Sequence, residues 1–271
     1  MNPVEVRRGS SPVILGLPHT GTHVPADIQD RLNANGKLLA DTDWHIHTLY
    51  DGLLPGASTV RATFHRYVID ANRDPSGQSL YPGQNTTGLI PLTDFDEKAI
   101  WEKGRAPDDG DIVTRLAAFH RPYHEALAAE IARVKAEHGV AILYDCHSIR
   151  SVVPFLFEGT LPDFNIGTND GNSCSPDIEQ ATRAVCAGAA AAGYSHVVNG
   201  RFKGGWTTRH YGRPGEGVHA IQMELTQATH LESEALPFAY SLAKAGRLQV
   251  YLRAILGELE RIAGELAAST T

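Results

Sequence analysis

The stretch Val140-Ala-Ile-Leu-Tyr-Asp-Cys-His-Ser148 decides the fold. Its apolar residues run straight into Asp145, His147 and Ser148, directly after a helix-patterned segment and Gly139. A short apolar run in that position reads as a strand buried on both faces of a parallel sheet. Open α/β sheets bind ligands beyond the carboxyl ends of their strands, so the polar residues here fall at the rim where a site forms. Side chains alternate along a strand, so Asp145 and His147 share one face while Cys146 takes the other. A lone Asp-x-His can be no more than a polar strand end. Repetition of the pattern along the chain argues for more.

Residues 12–17, Pro-Val-Ile-Leu-Gly-Leu, form a second apolar strand that ends at Pro18-His-Thr-Gly-Thr-His-Val-Pro25. His19 and His23 lie there beside Gly21, which permits a tight turn or close approach to a ligand. A third run, Thr59-Val-Arg-Ala-Thr-Phe64, precedes His65-Arg-Tyr-Val-Ile-Asp-Ala-Asn-Arg-Asp-Pro75, in which Tyr67, Val68 and Ile69 read as strand-like. Arg73 offers a planar fork that fits a substrate carboxylate, and Asn72 can add donors beside it. Asp, Asn and Pro are equally at home in a surface turn. In Asp41-Thr-Asp-Trp-His-Ile-His-Thr-Leu-Tyr50, Asp43 and His47 are four apart and share a face if the segment is helical. Carboxylate and imidazole together suit zinc, although Asp41, Thr42 and Asp43 are also N-cap residues. The last strand is Val218–Gln227, with Glu224 between Met223 and Leu225. A carboxylate buried there is costly unless it is used, and burial raises its pKa toward the range of a general base.

Between these runs the pattern predicts helices over 27–39, 111–138 and 175–192. Pro122 should bend or split the second after Arg121, and Pro176 starts the third. His120 and His124 read as core-edge or surface residues of the long helix rather than ligands. Residues 76–95 lack periodicity and read as a long loop, a form that is often functional. The glycine-rich segment 199–212 carries Arg201, Lys203 and Arg209, positive charge suited to an anionic ligand. One or two helices over 234–267 close the chain, with Gly246 as a joint. There is no internal repeat and no linker, so the expectation is one α/β domain across residues 1–271.

The composition is that of a globular protein, with 42% hydrophobic and 20% charged residues. A net charge of −7 argues against nucleic acid or an anionic membrane as the main partner. No apolar run is long enough to span a bilayer, and the amino terminus lacks the apolar core of a signal peptide. Three cysteines in neither paired nor metal-knuckle spacing fit a reduced, cytoplasmic chain.

Taken in order, these motifs resemble those of the N-formylglutamate amidohydrolase (deformylase) family, within the broader zinc-carboxypeptidase-like group. The resemblance is carried by Pro18-His-Thr-Gly21, Asp41-Thr-Asp-Trp-His45, Val68-Ile-Asp-Ala-Asn-Arg-Asp74, Tyr144-Asp-Cys-His-Ser148, Lys203-Gly-Gly-Trp206 and Gln222-Met-Glu-Leu225. It implies a mostly parallel, mixed central sheet with helices on both faces. It also implies one zinc ion (another divalent metal being the alternative) and hydrolysis of N-formyl-L-glutamate to formate and L-glutamate, a step of histidine degradation. Aspartoacylase and succinylglutamate desuccinylase relatives carry His-x-x-Glu at the first metal motif; here Thr22 stands three after His19. Asp43 fills that place, with His47 and His23 as competitors. The implied site is thus His19, Asp43 and His147 as ligands, Glu224 as general base, and Asn72 with Arg73 on a carboxylate of a small anionic N-acyl amino acid. Hydrolysis of another N-acyl amino acid or a peptidoglycan amide, or metal-dependent binding without turnover, are the alternatives. A cysteine mechanism is disfavoured, because Cys146 faces away from His147.

Overall fold

A computed structural model describes residues 2–79 and 83–268. Seven strands, β1 (Val4–Arg7), β2 (Val13–Leu17), β3 (Ser58–Ala62), β4 (Ala141–Ile149), β5 (Phe164–Gly167), β6 (His196–Val198) and β7 (Val218–Thr226), form one sheet in the order β1-β3-β2-β4-β7-β5-β6. The central four, β3, β2, β4 and β7, run parallel. At the edges β1 is antiparallel to β3, and β5, paired in parallel with β6, is antiparallel to β7. This is the mostly parallel mixed sheet expected, with helices on both faces.

Period-two alternation explains where the site lies. On β4, Ile142, Tyr144 and Cys146 point into one apolar layer, joined by Ile221 and Met223 of β7 and covered by α5 (Pro176–Gly188) and α7 (Leu242–Ala268). Ala141 and Leu143, with Ala220 and Val60, point the other way, against Tyr123, Leu127, Ile131 and Val134 of α4 (Arg121–His138). That second face is apolar only along the first half of each strand. Further on it carries Gly16 on β2, Asp145 and His147 on β4, and Gln222 and Glu224 on β7. α4 therefore covers half of the face, and polar groups take the rest at the carboxyl rim.

Several local expectations change. The 27–39 helix is only α1 (Ala26–Gln29) and a 3-10 turn at Gly36–Leu38. Asn33 is the physical reason: its side chain accepts from Gly36 N at 2.9 Å and donates to Ala99 O at 2.8 Å, and such bonds compete with the helix. Residues 65–69 form turns rather than a strand, with His65 Nδ1 accepting from Tyr67 N at 3.1 Å and His65 O from Val68 N at 2.9 Å. α2 (Ile46–Tyr50) begins after Asp43, so Asp43 and His47 do not share a helical face. The interruption expected at Pro122 is a π-turn, Leu116–His120, joining α3 (Asp109–Arg115) to α4 without a break. Pro122 has no N–H for the preceding turn, and a widened turn is one way a helix absorbs that. α7 is a single helix through Gly246, and it starts at Leu242 rather than 234. The 76–95 loop has no regular element among its described residues; residues 80–82 lie outside them. No helix of the described residues is long and apolar enough to cross a membrane.

Candidate metal centre

His19 stands two residues beyond β2, His147 near the end of β4, and Asp43 on the segment before α2. Backbone pairing brings the segments together: Asp43 N donates to His19 O at 3.0 Å, and Ser148 N donates to Asp43 Oδ2 at 3.1 Å. From the far side, Gln227 Nε2 donates to Thr42 O at 2.9 Å and His230 Nε2 to Trp44 O at 3.0 Å, which fixes the loop around Asp43. Asp41 closes the same loop, accepting from Tyr67 Oη at 2.8 Å.

His19 Nδ1 lies 3.2 Å from His147 Nδ1, and Asp43 Oδ2 lies 3.2 Å from the latter and 3.7 Å from the former. Each imidazole turns its other nitrogen to a buried carboxylate: His19 Nε2 to Asp70 Oδ1 at 2.7 Å, and His147 Nε2 to Asp145 Oδ2 at 2.9 Å. An ionised carboxylate only accepts, so each Nε2 carries a proton, and each ring in its neutral form presents a lone pair at Nδ1. In that form two imidazole lone pairs and a carboxylate oxygen converge, a set that a proton or a metal cation can occupy. The cluster attracts positive charge. Burial opposes charging His147, yet Asp145 and Asp43 push it well above its ordinary value. Burial likewise opposes ionisation of Asp43 and Asp70, but Arg66 with the two histidines holds the first below the carboxylate range, and His19 with Arg73 the second. His19, Asp43 and His147 form a group able to hold a metal ion.

Glu224 is the register partner of His147 on the adjacent strand. It is buried, Gln222 Nε2 donates to its Oε2 at 3.3 Å, and burial, opposed by His147, pushes its carboxyl up to about 8. Glu224, His19 and His147 line one cleft, together with Asn72, Arg73, Ser148, Gln222 and two further arginines, Arg66 and Arg201. Thr207 N donates to Asn72 Oδ1 at 2.9 Å, which fixes the side-chain amide beside His147, with Asn72 Nδ2 3.2 Å from a ring nitrogen whose proton is already given to Asp145. Gly205 allows this packing, since a Cβ there would fall 2.2 Å from Asn72 Nδ2. Much of the Arg73 fork is already committed: Nε donates to Thr87 O, Nη1 to Asn72 O, and Nη2 to Thr87 Oγ1 and Thr86 Oγ1.

His23 and His47 are not brought to the cluster. His23 faces a separate crevice with Thr22, Gln29 and Lys37. His47 is half-buried among Arg61, His45, Glu5 and Asp51, and burial pushes it down to about 4. Of the basic residues of the 199–212 segment, Arg201 lines the cleft, while Lys203 pairs with exposed Asp170. Arg66 went unread in the sequence; it is buried with Nη2 on Asp43 Oδ1 at 2.5 Å. Its only sequence signal was a charge lodged in the apolar run that ends at Ile69. Cys146 sits in the opposite apolar layer, where burial pushes its thiol well up. Cys146→Ala should therefore keep kcat within about twofold in a steady-state assay, since a buried structural thiol is inert.

A His–Asp–His cluster at the carboxyl rim of a parallel sheet, with a buried carboxylate beside it, has the make-up of a metal-dependent hydrolase. Residues 11–231 match the family described as N-formylglutamate amidohydrolase. The chain is 48% identical over 254 residues to an N-formylglutamate deformylase of Pseudomonas aeruginosa, covering 93% of this chain and 94% of the relative. It is 45% identical over 253 residues to an N-formylglutamate deformylase of Pseudomonas putida, with 93% of each chain covered. The fold is shared with the crystal structure of an N-formylglutamate amidohydrolase from Ralstonia eutropha JMP134, at a TM-score of 0.77 and 24% identity, covering 99% and 100% of the two chains. The chain belongs to the N-formylglutamate amidohydrolase family.

Proposed function

We propose that this chain is a metal-dependent amidohydrolase that cleaves N-formyl-L-glutamate to formate and L-glutamate. The observation that carries the reading is the convergence of the two Nδ1 lone pairs with Asp43 Oδ2 while both Nε2 protons are held by Asp70 and Asp145. Zinc with bonds of about 2.0–2.1 Å to tetrahedral ligands would set them about 3.3–3.4 Å apart. The separations of 3.2, 3.2 and 3.7 Å fit that ion with little movement. Carboxylates behind both imidazoles are the usual support for such ligands. Bound there by His19, Asp43 and His147, zinc would polarise the formyl carbonyl and acidify the attacking water.

The remaining work belongs to the chain. Glu224 takes the proton of the attacking water and delivers it to the departing amine nitrogen. Arg66, fixed by Asp43, adds positive charge where the carbonyl oxygen gains negative charge. Asn72 and Arg73, beside His147, take the carboxylate adjacent to the reacting amide. Because the guanidinium of Arg73 is bound to Thr86 and Thr87, it acts chiefly as fixed charge and loop anchor there. The second carboxylate, two methylene groups further out, falls to Arg201, whose guanidinium is aimed by Leu156 O at 2.7 Å and Asn85 O at 2.6 Å.

The direct test is release of formate and glutamate in equal amounts by the purified protein from N-formyl-L-glutamate. A protein that binds this compound without releasing formate would be a binder only. A charge-assisted contact is worth roughly 10- to 100-fold. Arg201→Gln should thus lose that much kcat/KM on N-formylglutamate, mostly through KM, and little on N-formylglutamine. Equal losses on both substrates would make Arg201 a structural residue.

A further inference from the structure

We infer that His120 and His124 are positioning residues for the Asn72–Arg73 wall of the cleft; this rests on reading that cleft as the substrate site. His120 Nε2 lies 3.1 Å from Arg73 O, and His124 Nε2 lies 2.7 Å from Ala71 O. These two carbonyls flank Asn72. A carbonyl only accepts, so both rings carry their proton at Nε2. His124 is then left with an acceptor at Nδ1, which lies 3.1 Å from Tyr211 Oη. His120 closes the π-turn and His124 follows one turn later, so both rings stand on one face with centroids 4.4 Å apart. π-turns often mark functional sites, and this one ends at the ring that holds Arg73.

The support extends to the other side of Asn72. Trp206, the first residue of α6 (Trp206–Tyr211), packs its ring 4.5 Å from His124 and 5.6 Å from His120. Its neighbours Gly205 and Thr207 are the residues that pack on and hydrogen-bond to the Asn72 side chain. One aromatic–imidazole layer thus fixes the backbone of 71–73 through two carbonyls and its side chain through α6. Imidazole suits the task, being a rigid and neutral donor. Burial lowers both rings, His124 to about 3, so they donate without adding charge beside Arg73.

The test replaces the donor and then restores it. His124→Phe keeps the bulk and removes the N–H, whereas His124→Gln returns an amide donor; His120→Phe and His120→Gln form a second pair. In the zinc-loaded enzyme the Phe variants should raise KM for N-formylglutamate about tenfold, with kcat within about threefold and metal content unchanged. The Gln variants should recover most of the loss. Amide hydrogen exchange over residues 70–74 should quicken in the Phe variants and slow again in the Gln variants, which reads positioning even if N-formylglutamate proves the wrong substrate. Failure of wild-type turnover alone would count against the functional reading only. Unchanged exchange and KM in well-folded Phe variants would overturn the inference. So would Phe and Gln variants that behave alike at both positions.

Discussion

Glu224→Gln should fold, bind metal and bind N-formylglutamate, yet lose about 10²- to 10⁴-fold in turnover, the usual weight of general acid–base catalysis. Glutamine keeps the size of the side chain and can still accept from Gln222 Nε2, but it has no carboxylate to take a proton near neutral pH. Burial raises the Glu224 carboxyl, so the ionised group is the costly form in this pocket. A folded-state pKa above the unfolded one withdraws stability once pH rises past the unfolded value. At pH 7–8 the substitution should consequently leave Tm equal or slightly higher. The rate has the opposite sign: the base acts when ionised, so kcat/KM should fall as pH drops through its folded-state pKa. A cation at the His19–Asp43–His147 cluster would pull that pKa down, placing the acid limb of the metal-loaded enzyme below about 8. The limb reports coupled ionisations rather than one group. Single-turnover formate release, metal content and Tm on one preparation check all three statements. Near-normal turnover in Glu224→Gln would remove it as the base, and a metal-free variant would make it a ligand.

Removal of Asp43 should be equally severe, through the metal. Asp43→Asn should lower bound metal well below one equivalent, and activity by more than the roughly 10- to 100-fold that loss of a supporting partner costs. Asparagine is preferable to alanine as the probe. Arg66 is buried on Asp43, and deleting one partner of a buried ion pair costs about 3–5 kcal/mol by stranding the other. Asp145→Asn, which touches only the proton on His147 Nε2, should fall within the 10- to 100-fold range. His23→Ala and His47→Ala should keep their metal, because both rings lie away from the cluster. Elemental analysis of the dialysed proteins reads the series. Retention of metal by Asp43→Asn with its loss in His47→Ala would reassign the third ligand.

The residues legible in the sequence are those whose position follows from strand periodicity. His19, His147 and Glu224 each end or interrupt an apolar run, and a parallel sheet gathers such ends at one rim. The opposition of Asp145 and His147 to Cys146 needed nothing beyond alternation. Asp43 was one of several competitors, because its place depends on pairing with His19 and Ser148, contacts far apart in the chain. Arg66 was missed for the same reason: Tyr67, Val68 and Ile69 read as a strand, yet they are buried in turns that carry the arginine under the cleft. Their burial comes from tertiary packing, which leaves no period in the sequence. Asn33 and its side-chain bonds to Gly36 and Ala99 likewise outweighed an amphipathic pattern over 27–39. His120 and His124 lie outside the His19–Asp43–His147 cluster, and their carbonyl partners on the 71–73 segment, about fifty residues away in sequence, gave no signal.

Hydrolysis of N-formyl-L-glutamate should depend on a metal ion held by His19, Asp43 and His147. Formate release should be measured before chelation, after chelation and dialysis, and after return of one equivalent of zinc. Activity should disappear with the metal and return in proportion to zinc rebound, in wild type but not in Asp43→Asn. Full turnover of N-formyl-L-glutamate by protein shown to be metal-free would contradict it.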